Sequence, residues 1–394
     1  MASLLIAVIY IIFISLGLPD SLLGAGWPSM QNAFGVPSSY AGFVSMAIAS
    51  MTIVSALLSP RIIRKVHTSW IVIISIGLTV AGLLGFSFAG TYWMLFLFAI
   101  PYGLGAGAID TAVNHYVANH YRSSVMNFLH CFYGVGTVIS PNVMGLALRF
   151  ARWNEGYRWT AYLQILILAI VVVSLPLWKK NETASADGGE QDKAVRTAGI
   201  RESIRLPGVI LTLIAFFTYC AAEATCSLWT SSYFAGTREG LSDSMVASFG
   251  SLVFIGLMLG RLVSGFISNK LGDKTMIRIG IFLEITGILF VMIPVPDYIV
   301  AAVGFVLAGA GMGPVYPALE HMAPEKYGRE HSAAVIGLQM AAGYVGSTFM
   351  PMLFGFLQEA LSIRILPVYL LILAALTIGL LELSNMMHKK TVRS

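Results

Sequence analysis

Residues 110–121 read DTAVNHYVANHY, and they follow a run, YGLGAGAI, that suits the interior of a lipid bilayer. Asp110 and Asn114 are four apart, so on a helix they lie one above the other on one face, continued by Val117 and Tyr121. His115 stands about 140° around from Asp110 and shares its stripe with Asn119. A carboxylate beside an amide can take and release a proton, and it can bind hydroxyl groups. Neither ability comes cheaply at this depth, since an ionisable side chain near the bilayer centre costs about 2.5–3.5 kcal/mol on insertion scales. Such residues face the protein interior or a water-filled path. Asp110 therefore reads as a protonatable group on that path, and Asn114 as a partner for a substrate hydroxyl.

Other polar residues in apolar surroundings extend the list. Asp20 follows Gly17-Leu18-Pro19, where Gly and Pro can interrupt a helix and free backbone groups toward a cavity. Together with Asp110 it makes a two-carboxylate pair, and a carboxyl that exchanges its proton when the cavity opens to water is the physical requirement for proton coupling. Asn127 and His130 are three apart on one helical face, and His130 can serve a hydroxyl or titrate near neutral pH. Gln164 and Gln339 offer amide contacts. Glu223 and Trp229 are six apart, roughly 120° around from each other on an ideal helix, so both reach one ligand only if the helix kinks. An indole such as Trp229 can stack on the apolar face of a sugar ring. Tyr316 completes the candidates for substrate contact. Glu284 reads as structural or peripheral, and Arg261 as a side chain that snorkels or pairs with a loop.

The elements that position these residues are membrane helices. Of 394 residues, 57% are hydrophobic and only 11% charged, against about 25% charged in a soluble domain; the mean hydropathy is +0.79. Apolar runs of about 18–25 residues cross the hydrocarbon core as helices. Twelve can be placed, near 3–23, 40–59, 69–89, 92–119, 123–148, 157–178, 207–234, 243–268, 275–294, 298–322, 331–357 and 363–386. The fold class is an all-α membrane protein of two pseudo-symmetric six-helix bundles, 1–178 and 206–394, joined by the polar linker 179–205. The apolar N-terminus lacks a basic leader and a clear cleavage site, so it reads as a retained first span.

Eighteen of the 24 Lys and Arg residues fall at one set of span ends, which includes the linker and both termini. By the positive-inside tendency that side is cytoplasmic, in a plasma or inner membrane. This distribution explains the net charge of +5 without nucleic acid. The three cysteines sit inside apolar spans in no metal-ligand spacing. No cofactor is expected beyond a coupling ion, H+, and no nucleophile–base arrangement or phosphate-cradling loop suggests an enzyme.

The halves repeat each other. Gly103, Gly105 and Gly107 recur as Gly309, Gly311 and Gly313, and at the same offset Tyr316, Glu320 and His321 occupy the positions of Asp110, Asn114 and His115. Gly136-x4-Pro141-x3-Gly145 recurs as Gly346-x4-Pro351-x3-Gly355. Asp20 sits near the place that Glu223 holds in the second half. Parallel repeats of six spans are the plan of transporters that rock about a central site.

On these features the chain resembles the major facilitator superfamily. GFISNKLGDK (265–274) is similar to its cytoplasmic G-x3-D-x2-G-R-K loop, with Asn269 and Asp273 as departures. Within the superfamily the chain resembles the sugar symporters of the fucose permease and sodium-dependent glucose transporter-like group. Asp110-Thr111-Ala112-Val113-Asn114 matches their span four, Asn127 and Gly134-Val135-Gly136 their span five, Asp20 their span one, and Glu223 with Trp229 their span seven; His130 and Tyr133 depart from that pattern. The resemblance implies a monomeric transporter that moves a sugar or related polyhydroxylated solute through the lipid bilayer by proton symport. An exporter of drugs or metabolites on the same fold is the alternative, kept open by Asp20, Glu223 and the 18 Met and 22 Phe residues. A non-transporting sensor on this fold would usually bring a further soluble domain.

Overall fold

The computed structural model describes residues 2–63, 65–120, 123–178, 199–295 and 297–393, and among them it contains helices and turns but no strand. Twelve helical segments are long and apolar enough to cross a membrane, so the expected all-α, twelve-span architecture holds. The spans are built from α1 (Ala2–Asp20) and α2 (Leu22–Phe34) together, then α3 (Tyr40–Ile63), α4 (Thr68–Ser87), α5 (Tyr92–His120), α6 (Ser123–Phe150) and α7 (Trp153–Val173). After the short α8 (Ile200–Ser203) come α9 (Val209–Thr237), α10 (Asp243–Phe249) with α11 (Leu252–Leu271), and α12 (Asp273–Met292). The last are α13 (Ile299–Met312) with α14 (Val315–Tyr327), α15 (Arg329–Ala360) and α16 (Leu366–Arg393). Most of the linker, residues 179–198, lies outside the described residues.

The first span corrects the expected limit at residue 23. Pro19 interrupts the helix only for a turn at Ser21, and the chain resumes as α2 until Gly35, whose left-handed φ of 64° closes the helix. The Ser21 hydroxyl lies 2.7 Å from both the Thr137 carbonyl and the Ser140 hydroxyl of α6. A polar break at membrane depth is therefore satisfied by protein, as the absence of water requires. Spans eight and ten are also broken, at Gly250-Ser251 and at Gly313-Pro314, the latter because proline has no N–H to continue the ladder.

The chain divides into two compact units, residues 1–191 with 239–251, and residues 192–238 with 252–394. The short α10 thus belongs with the first unit rather than with the half that contains it in sequence. Gly145 of α6 makes room for it: a Cβ there would lie 2.3 Å from the Ser248 hydroxyl and 2.6 Å from the Ser244 carbonyl.

Within each unit the repeated glycines do the same work. A Cβ on Gly103 or Gly107 of α5 would lie 2.3 or 2.2 Å from the Ile48 or Thr52 carbonyl of α3, whereas one on Gly105 would lie 2.5 Å from the Ser75 carbonyl of α4. In the second unit a Cβ on Gly309 would lie 2.1 Å from the Val253 carbonyl of α11, and one on Gly313 2.8 Å from the Leu257 carbonyl. One on Gly311 turns instead to α12, 2.2 Å from the Glu284 nitrogen. Lipid tails are as apolar as leucine, so close backbone approach, not hydrophobic burial, holds such helices together. A second pair extends the symmetry: Gly136 meets the Ile14 carbonyl of α1 and Gly346 the Phe217 carbonyl of α9. Counting six residues on from Ile14 and Phe217 reaches Asp20 and Glu223, so these two carboxylates occupy equivalent places.

Candidate functional site

In the first unit, Asp20 closes α1 immediately before the break at Ser21. Its side chain is exposed, and the Tyr133 hydroxyl of α6 donates to Oδ2 at 2.5 Å. The Tyr102 hydroxyl of α5 donates to the Pro19 carbonyl at 2.5 Å, which satisfies one backbone group next to the interruption. Asp110 and Asn114 form the stripe their spacing implied, with Asn114 Nδ2 donating to Asp110 Oδ1 at 2.9 Å. The Asn114 Oδ1 atom is buried and has no hydrogen-bond partner among the described residues. His130 is half-buried with its ring edge-on to Phe13, centroids 5.9 Å apart. The side chains of Asn127, His115 and Asn119 lie outside the described residues, as does Tyr121.

In the second unit, Glu223 is gripped from two sides. The Tyr219 hydroxyl, one helical turn earlier on α9, donates to Oε2 and also lies 2.9 Å from the Met312 carbonyl. Arg261 Nη2 on α11 approaches Oε1 at 3.5 Å. Arg261, expected to snorkel or to pair with a loop, thus reaches Glu223, and the Gly313 backbone admits its helix closely, a Cβ on Gly313 lying 2.8 Å from the Arg261 nitrogen. Tyr316 is half-buried, packs against the Phe216 ring at 5.2 Å, and its hydroxyl lies 3.3 Å from the Met340 sulfur.

Three of the expected substrate contacts are placed differently. Gln164 is fully buried, receives the Ser15 hydroxyl and donates to the Ser15 carbonyl at 2.5 Å, which ties α7 to α1. Trp229 is fully buried, donates its indole N–H to the Pro351 carbonyl at 3.0 Å and meets Phe354 edge-on. The helix α9 runs unbroken through Glu223 and Trp229, and the Trp229 indole is committed to the Pro351 carbonyl. Gln339 is fully buried, with Nε2 3.5 Å from the Leu319 carbonyl and Oε1 without a partner. Of the two readings of Glu284, burial favours the structural one: it is 2% exposed on the face of α12 that meets Gly311, and its Oε1 has no hydrogen-bond partner among the described residues.

Tyr133, Tyr219 and Arg261 are the additions that the structure makes to the candidate set. Tyr219 stands four residues before Glu223, the spacing already used for Asp110 and Asn114, and could have been found by it. Tyr133 and Arg261 reach their carboxylates across helices, and no local signal marks them. Among the described residues no group of three or more His, Cys, Asp or Glu is placed to hold a metal.

A curated relative, Bypass of stop codon protein 6 of Saccharomyces cerevisiae, is 21% identical over 93% of this chain and 79% of its own. The class B tetracycline resistance protein of Escherichia coli is 22% identical over 68% of this chain and 66% of its own. Among solved structures, the nucleoside transporter NupG superposes with a TM-score of 0.72 over 98% of this chain and 99% of that one, at 13% identity, a likeness of fold alone. The model of the Major Facilitator Superfamily matches residues 9–351 and 239–385, all but the ends of the chain. With twelve apolar spans and glycine-packed half-repeats already in place, the chain belongs to the Major Facilitator Superfamily and is a multi-pass membrane transporter.

Proposed function

We propose that this transporter moves a sugar or related polyhydroxylated solute by proton symport, as the resemblance to the fucose permease and sodium-dependent glucose transporter-like group implies. The observation that carries the reading is the Asp110–Asn114 stripe. The amide is held by the carboxylate while its own oxygen is buried with no hydrogen-bond partner among the described residues, and a solute hydroxyl is the donor that would satisfy it. Asp110 and Asp20 are the proton carriers in this reading. Tyr133 positions Asp20, and His130 and Asn127 extend the hydroxyl-binding set. Glu223 and Tyr316 serve the solute from the second unit, and Arg261 holds Glu223 in place. The protein works as a monomer in the plasma or inner membrane with both termini cytoplasmic, and transport proceeds by alternating access between the halves 1–178 and 206–394, with α10 carried by the first.

The test is a proteoliposome assay. Addition of sugars from a panel should alkalinise the outside of the vesicles as solute enters with protons, and Asp110→Asn should abolish the signal while solute still binds. The second reading, export of a drug or metabolite, draws on the tetracycline resistance relative. It gains if no sugar evokes proton movement and a lipophilic cation does. Sodium dependence of sugar uptake at constant pH would replace the proton in the scheme.

A further inference from the structure

At the linker-side ends of α12, α14 and α16 the second unit encloses a cavity of about 140 Å³, far above the roughly 10–15 Å³ that admits one water. Its charged lining is Lys274, Arg278 and Lys326 against Glu325 and Glu382, with His388 beside them. These charges are not evenly matched. Arg278 spends its guanidinium on Glu382 in a two-pronged pair, Nε to Oε1 at 2.6 Å and Nη2 to Oε2 at 2.9 Å. Glu325 is exposed at the surface, as is Lys274. Lys326 is different, because the residue is only 6% exposed. Its ammonium donates to the Ser384 hydroxyl and the Asn385 side-chain oxygen, both at 2.8 Å. Both acceptors are neutral, and among the described residues no carboxylate lies within ion-pair distance of Lys326. Glu382, an opposing charge in the cavity, is already held by Arg278, so the Lys326 ammonium lacks an ion pair of its own, a costly state for a buried cation that a bound anion would relieve.

The floor beside this basic mouth is apolar. Ile277, Met322, Ile378 and Leu381 surround a small space of about 10 Å³ that also touches Lys274, Arg278, Glu382 and Asn385, room for a single water. A cationic rim at the end of membrane helices, beside apolar side chains, suits the phosphate of an anionic headgroup.

We propose that the cavity between α12, α14 and α16 binds an anionic phosphate group, which Lys326 and Lys274 neutralise, with an anionic phospholipid headgroup or soluble inorganic phosphate as its source. The site stands apart from the transport residues and does not depend on what the protein carries.

The test uses the full chain, delipidated in detergent and in nanodiscs. Labelled phosphatidylglycerol should bind more tightly than labelled phosphatidylcholine. Lys274→Gln should weaken that binding by about tenfold, the loss of one charge-assisted hydrogen bond, and Lys326→Met should remove the preference between the two lipids. If neither lipid is preferred but inorganic phosphate raises the melting temperature of the wild type and not of Lys274→Gln, the ligand is soluble phosphate. Equal binding of both lipids with no response to phosphate overturns the proposal, and so does a lipid preference that survives in the variants. Should Lys326→Met fail to fold, Lys274→Gln alone decides, since its side chain is at the surface.

Discussion

Replacing Glu223 by glutamine keeps an acceptor for Tyr219 but leaves Arg261 facing a neutral group inside the second unit. At 3.5 Å and an effective dielectric of about 20, the gross attraction lost is about 5 kcal/mol. The net figure is smaller, because the Glu223 and Arg261 side chains remain 27% and 20% exposed and keep part of their hydration. Exposed pairs contribute about 0–1 kcal/mol, and breaking a fully buried pair costs about 3–5 kcal/mol. An intermediate site sets the expectation for Glu223→Gln at about 1–3 kcal/mol of destabilisation. Arg261→Gln should cost a similar amount, and the double variant little more than either, a coupling of about 1–2 kcal/mol. Reversible unfolding of purified protein in mixed micelles, followed by tryptophan fluorescence, gives the four free energies. Strictly additive single effects would refute the pairing and return Arg261 to the lipid or the loops.

The glycine packing makes a sharper contrast. Gly311→Ala places a methyl 2.2 Å from the Glu284 nitrogen and should destabilise the protein by about 1–3 kcal/mol; Gly337→Ala, with nothing within 4 Å, should not, and the same unfolding titration compares them. Gln164→Leu removes two hydrogen bonds to Ser15 and should lower stability by about 1–3 kcal/mol with the KM for transport unchanged. A raised KM at wild-type stability would put Gln164 back beside the solute. Trp229→Phe keeps the ring but abandons the Pro351 carbonyl, for an expected loss of about 1 kcal/mol in the same measurement.

Much of this molecule is legible in its sequence because membrane physics leaves few options. Length and apolarity mark the spans, and the i, i+4 rule turned Asp110 and Asn114 into a pair that the structure joins at 2.9 Å. The recurrence of Gly103, Gly105 and Gly107 as Gly309, Gly311 and Gly313 foretold which backbones approach closely. What escaped depends on contacts between helices distant in sequence. Tyr133 finds Asp20 from 113 residues away, and Arg261 finds Glu223 from the other side of a helix pair. Trp229 and Gln164 make contacts that spacing does not announce either. Their residue types suit a sugar, yet both spend their polar atoms on neighbouring backbone, a fate that no spacing rule announces. The end of span one falls beyond the expected residue 23 because the Ser21 hydroxyl anchors the turn on α6 and the helix resumes as α2.

The placement of Glu239–Ser251 also changes what a cut in the linker would do. Because that stretch packs with the first unit while the residues on both sides of it belong to the second, the polypeptide passes from one unit to the other at three points. A protease acting on residues 179–198 removes one of these passages and leaves two. The C-terminal fragment would still carry α10, the piece that fits against Gly145 of α6. Two separately expressed fragments divided in the linker should therefore recognise each other through a segment exchanged between them, and copurify from the membrane as a reconstituted transporter.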